Sequence, residues 1–403
     1  MKLIRHLEDL PDLSGSVVTI GNFDGFHVGH RAILDTLGER GRALGLPVVA
    51  VTFEPHPLAV IAPDRAPVPI STPRQRTRRL EAAGVDVLFI QEFDPEFSRL
   101  EPGDFISRYL IGAFRARALV VGANFRFGHR HRGTIETLRA RTGDFEVVEV
   151  PPVVRGGLPV SSSRIRRCLA GGEVSRARRL LGHCYEMEGQ RVGGAGRGSR
   201  KTVPTLNMEP WNRLIPKDGV YVTRVRLGES ADWLDAVSNV GVRPTFNGRD
   251  RTIETFVPDR VISRDEDGLR LKFLRRLRDE CRFSDTRALR DQILRDVDDA
   301  RRFFRRLGRR NARTAPGNPT EVRFYTRPGC HLCEPVHEVI RNSLDRYPLR
   351  LRILNVEEDP DLESRYGPDV PVVELLSPGG THTFRHRLDP HELESELRRL
   401  WNT

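Results

Sequence analysis

Short apolar runs and amphipathic stretches alternate along the first 180 residues. The β-branched runs predict buried strands, and the stretches between them carry apolar residues at helical spacing. The predicted strands are Val17–Ile20, Val48–Phe53, Val87–Gln91, Ala118–Gly122 and Phe145–Val150. The predicted helices are Arg31–Leu44, Arg74–Ala83, Asp104–Phe114 and Thr134–Thr142. Strands that alternate with helices predict a parallel α/β sheet with ligands at the carboxyl ends of its strands.

The helical signal fades after Leu181, where short alternating runs separated by Gly and Pro begin. Many short strands at regular spacing predict a small closed antiparallel barrel, followed by one long amphipathic helix at Thr286–Leu307. The predicted barrel strands are Tyr185–Arg191, Gly219–Leu227, Asp235–Asn239, Thr252–Phe256 and Leu269–Leu277.

A third pattern begins after a Pro- and Gly-containing linker at 309–320. A strand at Glu321–Tyr325 leads into C-x-x-C at Cys330 and Cys333, and Val370–Val373 forms a strand that carries Pro371 near its start. C-x-x-C between a strand and a helix is typical of the thioredoxin-like fold. The chain is therefore expected to have three domains, at residues 1–182, 183–308 and 321–403.

Composition narrows the class of protein. The net charge is +11 and almost all of the basic surplus is Arg. The Arg is spread without an aromatic-lined stripe, so the charge suits anionic small substrates such as ATP, and we expect no nucleic-acid partner. The chain has five cysteines, no apolar leader and no membrane-length apolar run, which predicts a cytoplasmic protein with no membrane partner.

The string from Gly21 to His30 carries the most specific chemistry. His27 and His30 follow a strand and open a helix, where backbone N–H groups and the helix dipole favour an anion. Two imidazoles there suit the charge that builds on ATP phosphates during nucleotidylyl transfer. A zinc site would need a third ligand, which the spacing does not supply, and simple helix capping by the histidines is the structural alternative.

Two further segments of the first domain follow the same logic. The segment Gly122–Gly128, at the end of a strand, combines the amide of Asn124, the guanidinium of Arg126 and two phenylalanines. For Phe125 and Phe127, core packing is the alternative to ligand binding. Ser161–Ser163 precede a helix, so N-capping alone would explain the hydroxyls, while Arg164 and Arg166 add phosphate donors.

The barrel region holds two motifs. A glycine-rich turn at Gly193–Gly198 can wrap phosphates with backbone N–H groups, and Thr205 and Asn207 offer hard oxygen ligands for Mg²⁺. Glu254 lies in strand register at Thr252–Phe256, and a carboxylate there can serve as the general base toward a primary alcohol.

The string G-N-F-D-G-F-H-V-G-H resembles the signature of prokaryotic bifunctional riboflavin kinase/FAD synthetases, and the resemblance extends to about Leu307. It implies that the barrel phosphorylates riboflavin to FMN with ATP. The α/β nucleotidylyl transferase domain then transfers AMP from ATP to FMN, giving FAD and pyrophosphate, and both steps need Mg²⁺. No zinc is expected.

The resemblance also implies roles for individual residues. Glu254 takes the riboflavin hydroxyl proton, and Mg²⁺ is held by Thr205 and Asn207 in the barrel and by Asn124 in the first domain. The flavin site takes Asn124, Arg126 and Phe127. The ATP sites take Gly21, Asn22, Phe23, Asp24, Gly25, Gly29, Ser162, Ser163, Arg164, Arg166, Gly196 and Gly198. The chain departs from the family pattern at Thr202, where a glycine is usual, and in the loop at 257–260.

The tail resembles small glutaredoxin-like domains with a C-H-L-C centre. Cys330, expected at a helix N-terminus, is then the attacking thiolate, and Cys333 resolves the disulfide. No motif in the sequence indicates the redox partner of the tail. The alternative to a redox centre is a local zinc site. Two other functions stay open: a flavin-binding redox regulator with reduced catalysis, and a nucleotidylyl transferase acting on another substrate.

Overall fold

The computed structural model describes most of the chain as two compact units, Met1–Gln292 and Ile293–Thr403. The described residues are 1–141, 143–192, 205–228, 233–245, 248–258, 268–281, 283, 285–314, 320–344, 349–377, 380–386 and 388–401. In this part of the chain no helix is both long and apolar enough to cross a membrane.

The first unit begins with a six-stranded sheet whose strands are all parallel. The strands are β1 (Lys2–Ile4), β2 (Ser16–Ile20), β3 (Val48–Glu54), β4 (Val87–Glu92), β5 (Ala116–Gly122) and β6 (Glu146–Val150). The five predicted strands are thus confirmed. The edge strand β1 was not predicted, because three residues are too short to show a period.

Helices cover this sheet and lead on to the barrel. They are α1 (Val28–Leu44), α2 (Pro57–Ile61), α3 (Pro73–Ala82), α4 (Pro102–Phe105), α5 (Ile135–Arg139), α6 (Ser162–Ala170) and α7 (Val174–Leu181), with a β7 (Val154–Arg155) and β8 (Leu158–Pro159) hairpin before α6. π-helical turns continue α4 over Ile106–Ala113. The helix predicted at Thr134–Thr142 is shorter than expected, and α1 starts three residues earlier than expected because His27 caps it.

The sheet is buried on both faces, as its continuous apolar strands require. Val18 and Leu119 face one hydrophobic cluster, while their neighbours Val17 and Val120 face the other. The strand order is β1-β4-β3-β2-β5-β6, so the chain reverses direction across the sheet between β2 and β5. Ligands of open α/β sheets bind outside the carboxyl ends of strands at such a switch point.

The second half of this unit is a closed antiparallel barrel with strand order β10-β13-β12-β11-β14-β9. Its strands are β9 (Tyr185–Val192), β10 (Leu206–Pro210), β11 (Gly219–Leu227), β12 (Leu234–Thr245), β13 (Gly248–Phe256) and β14 (Gly268–Arg278). The predicted barrel is confirmed. The prediction did not include β10.

Helix α8 (Thr286–Thr314) follows the barrel and contains the boundary between the two units. It extends seven residues past the predicted end at Leu307, so the first part of the predicted linker is helical rather than irregular. Arg and Ala in this stretch have good helix propensity, which explains the extension.

The second unit contains a four-stranded mixed sheet of order β16-β15-β17-β18. Its elements are β15 (Thr320–Thr326), α9 (Cys333–Leu344), β16 (Leu349–Asn355), α10 (Pro360–Tyr366), β17 (Val372–Ser377), β18 (Gly380–Arg385) and α11 (Pro390–Trp401). The Val370–Pro371 peptide is cis. This arrangement fits the thioredoxin-like fold predicted for the tail.

Candidate active sites

The two histidines of the first domain stack directly on each other at the start of α1. Their ring centroids lie 3.7 Å apart with the planes inclined by 13°, and Phe23 packs edge-on against His30 at 5.4 Å. Nδ1 of His27 accepts hydrogen bonds from the backbone N–H groups of Gly29 and His30, at 3.1 and 3.3 Å. The capping alternative is therefore correct for one nitrogen of His27, and it leaves the proton of the neutral ring on Nε2.

Both rings are held in the neutral form. Burial lowers the pKa of His27 to about 4, and burial together with the neighbouring His27 lowers the pKa of His30 well below its usual value. Nδ1 of His30 is buried and has no hydrogen-bond partner among the described residues. An unpartnered buried nitrogen at a helix N-terminus is suited to a polar ligand.

Asp24 organises the loop that carries these histidines. Its buried carboxylate accepts hydrogen bonds from the backbone N–H groups of Ile70 and Ser71, at 3.0 and 3.1 Å, and pairs with Arg166. The Ser71 hydroxyl also accepts a hydrogen bond from the Gly25 N–H at 2.8 Å. Asp24 was predicted to bind ATP, but its oxygens face protein donors, so the structure gives it a supporting position.

The serines and arginines around α6 divide into supporting and exposed groups. Ser161 caps α6, and the Ser162 hydroxyl donates to the Asp24 carbonyl at 2.9 Å. The Arg164 guanidinium is buried and donates to three carbonyls of the β7–β8 hairpin, those of Arg155, Leu158 and Pro159. Arg166 also donates to the Val68 carbonyl, whereas Ser163 is exposed at the start of the helix. Arg164 therefore holds the hairpin, a role that its sequence context did not indicate.

The segment after β5 lies across the switch point from the histidines. Asn124 and Arg126 are exposed, but Phe127 is buried and packs against Phe125 and Phe105. The core-packing alternative thus describes Phe127, and its predicted flavin contact gains no support from its position.

Three residues around Asn22 were missed as site residues: Glu54, His56 and Arg76. His56 lies 3.4 Å from the Asn22 amide, and Arg76 pairs with Glu54 at 2.7 Å while approaching the Asn22 carbonyl. Asn22 Oδ1 is buried without a described partner. His56 could have been recognised as a site residue from its position between two prolines directly after a strand. Arg76 could not, because it lies in a helix that carries no motif.

The barrel brings three polar residues into one row. Asn207 on β10 and Asn239 on β12 are both register partners of Glu254 on β13. The residues on either side of each face the hydrophobic core, so all three lie on the opposite face of adjacent strands. Asn239 also approaches Glu280 at 3.5 Å.

A chain of buried hydroxyls supports this row from the core side. Ser238 lies between Thr223 and Thr255, at 2.7 and 2.8 Å from their hydroxyl oxygens. These bonds tie β11, β12 and β13 together and hold the register that sets Asn239 opposite Glu254. Thr205 is exposed just before β10, and Gly196 and Gly198 lie outside the described residues.

The tail cysteines form a disulfide, with Cys330 half-buried and Cys333 5% exposed. Cys330 does not sit at the helix N-terminus as predicted, because α9 begins only at Cys333. A cavity of about 530 Å³ is lined by Arg327, Glu363, Gly367, Pro368 and Val370. Of its lining residues, Arg327 comes three positions before Cys330 in the sequence, and Val370 directly precedes the cis-proline Pro371. Within the described part of the chain no cluster of His, Cys, Asp and Glu is arranged to hold a metal ion.

Comparison with known proteins identifies both the α/β region and the barrel with the helix that follows it. Family models described as FAD synthetase and riboflavin kinase match residues 9–164 and 181–304. The chain is 36% identical over 308 residues to the bifunctional riboflavin kinase/FMN adenylyltransferase of Escherichia coli K12, covering 75% of this chain and 98% of that protein. The chain belongs to the bifunctional riboflavin kinase/FMN adenylyltransferases. Its function is flavin cofactor biosynthesis, as the sequence predicted.

Other members and a solved structure agree with this membership. The Pseudomonas fluorescens bifunctional riboflavin kinase/FMN adenylyltransferase is 34% identical over 305 residues, covering 75% of this chain and 97% of that protein. A crystal structure described as a macrolide-efflux protein from Streptococcus pneumoniae aligns with a TM-score of 0.68 at 31% identity, over 74% of this chain and 98% of that one.

The tail lies beyond these matches. Residues 321–398 match a family model described as a glutaredoxin-like domain. The match takes in 98% of the Escherichia coli enzyme but 75% of this chain, and the tail lies outside the region shared with that enzyme.

Proposed function

We propose that His27 and His30 stabilise the charge that develops when AMP is transferred from ATP to FMN. A phosphate oxygen of FMN attacks the α-phosphorus of ATP, and the bond from that phosphorus to the pyrophosphate oxygen breaks. The attacking phosphate is already ionised, so the step needs no general base. It needs fixed donors for the charge that moves onto the leaving pyrophosphate.

The stacked histidine pair is the observation that carries this proposal. His27 is neutral with its proton on Nε2, because Nδ1 is taken by the helix cap, and His30 keeps an unpartnered buried nitrogen beside it. Ser163 and the Gly21–Gly25 loop are proposed to line the ATP phosphates. Asn124 and Arg126, which are exposed beyond β5, are proposed to take the FMN phosphate.

His30→Ala tests the assignment in the intact chain. FAD formation from FMN and ATP is expected to fall by about 10²–10³-fold, the usual effect of losing one preorganised donor. FMN formation from riboflavin and ATP, measured in the same preparation, should stay within twofold of wild type and serves as the internal control. An equal fall in both rates, or no fall in FAD formation, would contradict the proposal.

We further propose that Glu254 accepts the proton of the riboflavin hydroxyl while the hydroxyl oxygen attacks the γ-phosphorus of ATP, releasing ADP. Asn207 is its register partner on β10, so the two side chains lie on the same face of neighbouring strands. Thr205, Asn207 and the phosphates offer the oxygen donors that Mg²⁺ prefers, so the residues fit that ion. When bound, Mg²⁺ neutralises charge on the phosphate oxygens.

Glu254→Gln keeps the size of the side chain and removes its basicity. FMN formation is expected to drop by about 10²–10⁴-fold while FAD formation from supplied FMN is unchanged. Glu209→Gln is the matched control, because Glu209 is an exposed glutamate on β10 outside the row. A kinase rate in Glu254→Gln equal to that of the control would refute the role. A wild type without kinase activity would point to Thr202, testable by Thr202→Gly.

For the tail we propose dithiol–disulfide exchange. In its reduced form the Cys330 thiolate attacks a disulfide of a partner, and Cys333 then displaces the partner thiol, leaving the partner reduced and the tail oxidised. The proposal rests on the pairing of Cys330 with Cys333 after the end of β15, and the partner is taken to be a protein or small disulfide of the cytoplasm.

A further inference from the structure

We propose that Asn212 and His183, which belong to the barrel side of the first unit, position the loop that performs adenylyl transfer. The kinase barrel would then be a working part of the second active site as well as of its own. The proposal rests on the role proposed above for His27 and His30.

Asn212 reaches from the barrel into the α/β domain. It follows β10, where its Oδ1 accepts a hydrogen bond from the Glu188 N–H at 2.9 Å. Its amide nitrogen faces the other domain and donates to Gln75 Oε1 at 2.9 Å, with the Ile70 carbonyl at 3.4 Å. Gln75 returns a hydrogen bond to the Glu186 carbonyl at 3.1 Å. Asn212 and Gln75 are each 3% exposed, so water cannot replace these bonds.

The segment that Asn212 contacts is the one that holds the histidine loop. The Ile70 N–H donates to Asp24, and Ser71 donates to Asp24 and accepts from the Gly25 N–H. Asp24 and Gly25 lie three and two residues before His27, respectively. A shift of the segment at 70–71 therefore reaches the histidines through hydrogen bonds and one short stretch of backbone.

His183 makes a second and independent contact with the same loop. Its Nε2 lies 3.2 Å from the Gly25 carbonyl, and its Nδ1 lies 2.8 Å from the carbonyl of Cys184, the residue before β9. A neutral ring has one N–H and can donate to one of these carbonyls at a time. In either state the ring fills the space between the loop and the first barrel strand.

Asn212→Ala in the full chain tests the proposal. The rate constant kcat for FAD formation is expected to fall about 10- to 100-fold, because displacement of catalytic groups costs rate even when it occurs at a distance. The KM values for FMN and ATP should change less than threefold, since ground-state binding does not depend on the exact donor position. The kinase rate should stay within twofold, which also shows that the barrel is folded.

Gln190→Ala is the matched control, because Gln190 is an exposed amide on β9. It should leave both rates unchanged. Asn212→Asp replaces the amide donor by an acceptor facing Gln75 Oε1 and the Ile70 carbonyl, so it should be at least as damaging as Asn212→Ala. Recovery of the rate in Asn212→Asp would contradict a donor role.

A double-mutant cycle separates positioning from general loss of structure. If Asn212 acts through the histidine loop, Asn212→Ala should cost less than threefold in kcat once His30→Ala is already present. If Asn212→Ala lowers kcat as much in the His30→Ala variant as in the wild type, the proposal is wrong. If His30→Ala alone had no effect, the histidine assignment itself would fail, which is a different result.

His183→Ala gives the second variant. It should lower FAD formation and spare the kinase, and it decides the matter if Asn212→Ala fails to fold. Unchanged FAD formation in both variants, or parallel loss of both activities in both, would refute the role of the barrel in adenylyl transfer.

Discussion

The replacement Asp24→Asn isolates the charge that organises the histidine loop. The asparagine keeps the shape, and its Oδ1 can still accept from the Ile70 and Ser71 N–H groups, which lie 3.0 and 3.1 Å from that position. Its Nδ2 then faces the Arg166 guanidinium, so a donor opposes a donor where the carboxylate now pairs.

The expected cost follows from burial. The two side chains of the pair are only 11% and 16% exposed. Removing one partner of a buried pair leaves an uncompensated charge, which typically costs about 3–5 kcal/mol. Because about 1.4 kcal/mol corresponds to a factor of ten, local opening of the segment that Asp24 holds should become about 10²-fold more frequent or more.

Hydrogen exchange of peptides covering residues 68–72 measures that opening directly. Asp35→Asn is the matched control, since Asp35 forms a pair with Arg31 in which both side chains are more than half exposed. Such a surface pair contributes about 0.2–1 kcal/mol, so the control should leave exchange at 68–72 unchanged. Exchange in Asp24→Asn within threefold of the control would show that the carboxylate does not hold this segment.

Three further predictions concern other parts of the molecule. Because burial holds the pKa of His27 at about 4, below the unfolded value of 6.5, the unfolded state binds more protons between these values. Stability should therefore fall by up to about 3 kcal/mol from His27 alone as pH drops from 6.5 to 4, and a flat denaturant midpoint over that window would contradict it. Ser238→Val should lower stability by about 1–3 kcal/mol, because two neighbouring buried hydroxyls lose a partner, and an unchanged thermal midpoint would refute this. Limited alkylation of the reduced tail should label Cys330 before Cys333, since Cys333 is only 5% exposed, and the reverse order would overturn the nucleophile assignment.

Local sequence patterns were enough to predict most of the secondary-structure elements and the positions of the main motifs on them. Period-2 and period-3.6 patterns are local properties, so the parallel sheet and the barrel could be predicted from them, while the thioredoxin-like tail was predicted from C-x-x-C between a strand and a helix. The same holds for His27 and His30 after β2, for Glu254 in a strand and for the C-x-x-C motif, because each depends only on neighbours in the chain.

Which motif residues are occupied by contacts within the protein depends on tertiary packing, which the local sequence does not encode. Arg164 has the sequence context of a phosphate donor, yet its guanidinium is taken by carbonyls of a hairpin that no periodicity predicted. Asp24 meets Ile70 and Arg166, which are 46 and 142 positions away, and Asn212 meets Ile70 across another 142. Such partners have no signature in the sequence, because a buried polar group can be satisfied by any donor that packing brings within about 3 Å, at any separation along the chain.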